Sequence, residues 1–127
     1  MAQRSRRQDD DLHFEIAFYE RLVARYPTFV EPLVQLGEAY TRTGRYPDGL
    51  SIDRRLVKLR PRDPFAWYYL ACSHALLEQL PAAMRALKKA IELGYDDWPF
   101  LQRDHDLAAL RRSPEFQHFI AKVRASR

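Results

Sequence analysis

One pattern is written twice in this chain, 34 residues apart, and it restricts the fold more than any other feature. The first copy reads Leu33-x2-Leu36-Gly37-x2-Tyr40, then Gly44, Tyr46-Pro47, Gly49, Leu56-Val57 and Pro61. The second reads Trp67-x2-Leu70-Ala71-x2-His74, then Leu80-Pro81, Ala83, Leu87 and Ala90-Ile91. A fixed period of this length is the signature of stacked helical hairpins, each too small to bury its apolar face alone.

The local signals agree. Asp63-Pro64 is a helix start, because Asp caps free N–H groups and Pro fits a first turn that needs no N–H bond. Trp67, Leu70, Ala71 and His74 then fall on one helical face. Pro81 cannot continue that helix and opens the next, whose face is Ala83, Leu87, Ala90 and Ile91. Gly37 and Gly49, or Ala71 and Ala83, let the paired helices approach. Trp67 is expected to be buried between its own hairpin and the preceding one.

Outside this stretch the period persists in weaker form. Residues 1–8 carry Arg4, Arg6 and Arg7 without an acid and are expected to be a disordered basic tail. Asp9–Asp11 suit a helix N-terminus. The helix they open ends in Arg21-Leu22-Val23, which matches Arg55-Leu56-Val57, as Pro27 matches Pro61. Residues 9–26 are therefore expected to be the second half of a hairpin. That half-repeat either caps the domain, with Phe14, Phe18 and Tyr19 covering its end, or begins a piece of a longer array; the cap is favoured. Thr28-x2-Glu31 predicts a capping box ahead of the repeat at 30–61, and Gly44 predicts the end of that repeat's first helix. A second repeat occupies 64–95. Trp98-x2-Leu101 opens a third, which Asp104-His105-Asp106 interrupts. Ser113-Pro114-Glu115 then starts a helix with the stripe Phe116, Phe119, Ile120 and Val123. Residues 96–124 are read as a degenerate capping repeat with a broken first helix, and 125–127 as a short tail.

These motifs resemble the tetratricopeptide repeat, with its W-x2-L-G-x2-Y, A-x3-F and P positions. Asp104-His105-Asp106-Leu107 and Leu110-Arg111-Arg112-Ser113-Pro114-Glu115-Phe116 resemble the terminal segment of short bacterial arrays of that family. The resemblance covers roughly residues 12–124. It implies an all-α fold, a right-handed α-α superhelix of about seven helices. The chain departs from the pattern at Asp53, where an aromatic is usual and the second copy has Leu87, and at His74 and Tyr95.

Composition narrows the functions. The net charge is +4, but Arg4, Arg6 and Arg7 carry all except +1 of it, so the folded body lacks the footprint of a nucleic-acid binder. The longest apolar run, Phe65 to Cys72, is too short to span a bilayer, and no secretory signal opens the chain. Cytoplasmic residence is the expectation. Cys72 is the only cysteine and is expected to be a buried, inert thiol. There is no Gly-rich phosphate loop and no cysteine pair. Asp104-His105-Asp106 reads as capping aspartates flanking an exposed His, and His74 as a packed histidine with one hydrogen bond. No enzymatic role, cofactor or metal is expected.

Binding is the better expectation. In the family resembled, the first helix of each hairpin lines a concave groove. Its candidate residues here are Glu31, Val34, Glu38, Thr41 and Arg42 in the first copy, and Phe65, Tyr68, Tyr69, Cys72 and Leu76 in the second. The aromatics are either open interface anchors or covered by the segment 98–110. Co-chaperone repeats of the family grip a C-terminal carboxylate with Lys, Arg and Asn; Glu38 would repel one, and neither Lys nor Asn occurs in these two helices. The leading expectation is a non-catalytic module binding a protein or peptide segment in the groove. A self-associating homo-oligomeric scaffold is the alternative, and a nucleic-acid-binding helical repeat comes third.

Overall fold

The computed structural model describes residues 5–126. Among them it is all-α: α1 (Arg6–Arg25), α2 (Val30–Arg42), α3 (Tyr46–Leu59), α4 (Pro64–Leu76), α5 (Leu80–Glu92), α6 (Trp98–Arg103), α7 (Ala108–Arg111) and α8 (Pro114–Ala125). A 3-10 turn, His105–Leu107, joins α6 to α7. The count exceeds seven because the first helix of the third unit breaks in two. No helix among the described residues is long and apolar enough to cross a membrane.

Of the expected basic tail, residues 1–4 lie outside the described residues. Ser5 caps α1, its hydroxyl accepting from the Gln8 N–H at 3.2 Å while the Gln8 side chain accepts from the Ser5 N–H at 2.9 Å. This reciprocal pair starts the helix ahead of Asp9.

Helices α1 to α5 each pack on the next. The loops repeat as closely as the sequence does. Gly44 has φ +77°, the left-handed conformation that suits Gly, and the Arg45 N–H reaches back to the Tyr40 carbonyl at 2.8 Å. At the same place 34 residues on, Glu78 takes φ 56° and the Gln79 N–H bonds the His74 carbonyl at 2.9 Å. The other loop repeats too: Phe29 N–H to Tyr26 carbonyl and Asp63 N–H to Arg60 carbonyl are both 3.1 Å. Their caps differ. Asp63 accepts from the Phe65 N–H at 2.9 Å, but the N-cap of α2 is Phe29, which has no side-chain acceptor. The Thr28–Glu31 capping box therefore does not form, because the loop register puts the cap one residue beyond Thr28.

Two clusters make the core. One joins α1, α2 and α3 through Ile16, Val23, Leu33, Leu36, Ile52 and Leu56. The other joins α4 and α5 to the C-terminal segment through Ala71, Met84, Leu87, Leu101, Leu107, Leu110, Phe116 and Ile120. Segment 96–124 thus shares the core of the second hairpin, with Leu101 and Leu107 fully buried. Two expectations fail. Trp67 is half-buried, its indole N–H donating to the Pro61 carbonyl at 2.8 Å near the surface, because Ala66 and Leu70 take the inward positions. In α1 the covered stripe is Leu12, Ile16, Tyr19 and Val23; Phe14 and Phe18, two residues off that stripe, point to solvent at 70% and 43% exposure.

Candidate functional site

A cavity of about 290 Å³ lies between α2 and α4. Seven of the ten groove candidates line it: Val34, Glu38, Thr41 and Arg42 from α2, and Tyr68, Tyr69 and Cys72 from α4. Glu31 lies outside it, hydrogen-bonded to Gln35 at 3.2 Å. Phe65 lies outside too, on a separate depression with Gly94 and an edge contact to Tyr95. Leu76, at the end of α4, is half-buried away from it. The two hairpins bring one side of each first helix together, and these three residues fall off that side.

The aromatic half is closed by the C-terminal segment. Tyr68 is buried, stacked on Tyr95 at 4.4 Å, with Phe100 beyond. Its hydroxyl donates to Asp104 at 2.5 Å. Burial, with Cys72 and Asp104 adding, pushes this phenol well above its ordinary range. Cys72 is buried, and burial, with Asp104 adding, raises its thiol well above the ordinary value, which favours the protonated form. Tyr68 and Cys72 are therefore walls and not open anchors, while Tyr69 remains half-exposed.

Asp104 holds this closure together. It caps the 3-10 turn by accepting from the Asp106 N–H at 3.0 Å, and it accepts from Tyr68. Arg111 braces the same loop, donating to the carbonyls of Leu101, at 3.0 Å, and Asp104. Asp106 is raised by burial, then by Asp104. The His of the cluster, His105, is exposed. His74 is buried with Gln79 at 2.8 Å from its Nδ1, a packed histidine with one hydrogen bond.

The floor of the cavity holds residues that sequence reasoning did not assign to the groove. Asp53, on α3, is buried and accepts from the Ser73 hydroxyl at 2.5 Å. Burial pushes its carboxyl up to about 7, Glu38 adding and Ser73 opposing. Its departure from the second copy's Leu87 was the available signal. Gly37 makes the space: a Cβ there would stand 3.3 Å from the Asp53 Oδ1. At the rim, Arg42 pairs with Glu15 of α1 at 2.6 Å. Among the described residues no three His, Cys, Asp or Glu converge to hold a metal ion.

No family model matches the chain. It is 30% identical over 87 residues to a chloroplastic protein of Arabidopsis thaliana, a match covering 66% of this chain and 26% of that protein. The chain thus spans about a quarter of the length of this relative.

Proposed function

We propose that the chain is a non-catalytic module of tetratricopeptide-repeat type, a short right-handed superhelix whose groove binds a segment of another protein. One observation carries this reading: the first helices of two successive hairpins, α2 and α4, face a single cavity of about 290 Å³. The repeated loop hydrogen bonds at Gly44 and Glu78 support the repeat frame. A cavity with one polar and one aromatic wall suits side chains of a bound segment better than a second layer of core. The test is cross-linking capture with wild type against a Glu38→Lys, Tyr69→Ala variant, Glu38 being exposed and Tyr69 half-exposed. Specific partners are expected to disappear with the variant while its helical circular-dichroism signal and cooperative unfolding persist. Equal recovery of every specific partner overturns the reading.

Self-association is the second reading. It is favoured by Phe14 and Phe18, which α1 turns to solvent. Sedimentation velocity over a concentration series decides it: a dimer lost in Phe14→Ser, Phe18→Ser supports it, and a monomer throughout removes it.

A further inference from the structure

The chemistry of the cavity narrows the partner. Four carboxyl side chains line it, Glu38, Asp53, Asp104 and Asp106. Among the described residues its one cation, Arg42, is held by Glu15. This acidic concentration occurs in a chain of net charge +4. Beside the acids stand the rings of Tyr68, Tyr69 and Phe100.

Asp53 adds an independent observation. It is buried, only 6% exposed, and its Oδ2 accepts from Ser73. Among the described residues its Oδ1 receives no hydrogen bond and no Arg or Lys pairs with it. Gly37 leaves that oxygen room. The second copy fills the equivalent place with Leu87, fully buried, so the repeat frame does not itself demand a carboxyl.

We propose that the cavity receives a basic side chain, arginine or lysine, from the bound protein segment, with its charge between Asp53 and Glu38 and its stem against Tyr69. This rests on reading the groove as a peptide site. Carboxylates give a cation short charge-assisted hydrogen bonds, and aromatic faces attract it through their quadrupole. Among the described residues no three His, Cys, Asp or Glu side chains converge to hold a metal ion, and four carboxyls repel an anion.

A pH signature follows. The titratable and hydrogen-bonding groups facing Asp53 or sharing its cavity are Glu38, Thr41 and Arg42 on α2, Tyr68, Tyr69, Cys72 and Ser73 on α4, and Asp104 and Asp106 in the closing segment. The free carboxyl titrates at about 7, and an arriving cation favours its ionised form. Binding therefore releases a proton and tightens as pH rises through that value, by about tenfold between pH 6 and 8.

The test pans a randomised twelve-residue peptide display library against the full chain, with Tyr69→Ala as the counter-screen. A selected peptide is then synthesised with arginine, lysine, citrulline or glutamate at its basic position. The expected result is selection of peptides sharing an Arg or Lys, and a loss of about tenfold or more with citrulline. Asp53→Asn, which keeps an acceptor for Ser73, is expected to weaken binding and flatten its pH dependence. Glu38→Gln at the exposed rim gives the same direction should Asp53→Asn fold poorly. Peptides that need Tyr69 but lack a basic residue, or tolerate citrulline, overturn this inference and leave the groove reading standing. The absence of any peptide sensitive to Tyr69→Ala overturns both.

Discussion

The hairpins α2–α3 and α4–α5 share one backbone frame and bury opposite chemistry at the same place. At the inner turn of the second helix, the first hairpin carries Asp53 and the second Leu87. Leu87 is fully enclosed among Met84, Ala90 and the leucines of the C-terminal segment. Asp53 is also buried, but against a cavity, with Ser73 as its donor. The first helices differ in the same sense: Val34 and Glu38 in one correspond to Tyr68 and Cys72 in the other. The frame is thus set by the small, apolar and loop positions, which agree. The remaining positions are free to make one hairpin a polar wall and the other a closed aromatic one.

The largest expected effect comes from importing the first hairpin's residue into the second. Leu87→Asp places a carboxyl where neither cavity nor hydroxyl receives it, at a cost of about 4 kcal/mol or more. Against a total of about 5–15 kcal/mol for a small domain, urea unfolding should show a largely unfolded variant at neutral pH. A midpoint near wild type would break the comparison.

Leu107→Ala tests the closure that makes the second hairpin different. Leu107 is fully buried on the 3-10 turn against α4. Its truncation is expected to cost about 2–5 kcal/mol while unfolding stays cooperative. A negligible loss would make segment 96–124 a loosely docked tail.

The reverse exchange, Asp53→Leu with Ser73→Ala, is expected to stabilise the protein. Replacing a buried carboxyl and the hydroxyl bonded to it by apolar groups relieves a desolvation cost of about 1–3 kcal/mol where the carboxyl is charged. The sign in pH follows from the raised value of about 7. The folded state holds the proton more tightly than the unfolded chain, whose carboxylates titrate near ~4. Wild-type stability from this group is therefore full below that range and lost as pH rises to about 7. Chemical denaturation at pH 5 and pH 8 should show the variant's advantage growing with pH; an equal advantage at both would remove Asp53 as the cause.

The smallest effect is expected at the loop. Glu78 adopts φ 56°, which the first copy gives to Gly44. Glu78→Gly relieves the left-handed strain and is expected to stabilise by up to about 1 kcal/mol, measured as a small rise in melting temperature.

The helix starts at Pro47, Pro64, Pro81 and Pro114, the stop at Gly44 and the break after Arg103 were legible because each rests on a local property: a fixed φ, a missing donor or a short apolar spacing. Seven cavity residues were legible because the family resemblance pointed to the first helix of each hairpin, and helical spacing then separated one face of α2 or α4 from another. Glu78 gave no sign of its loop, since its conformation comes from the frame and not from its own preference. The inward and outward faces of α1 and the half-exposure of Trp67 depended on which neighbours arrived. So did the closure of Tyr68 by Tyr95 and Asp104, and the enclosure of Asp53 beside Ser73, whose partners stand 20 or more positions away in the chain. By itself the sequence determined the helical hairpins and their period, because backbone sterics and apolar spacing act over a few residues. Only the tertiary structure decided which walls of the cavity are closed and what charge its floor carries, because burial and desolvation belong to the whole packing around a group.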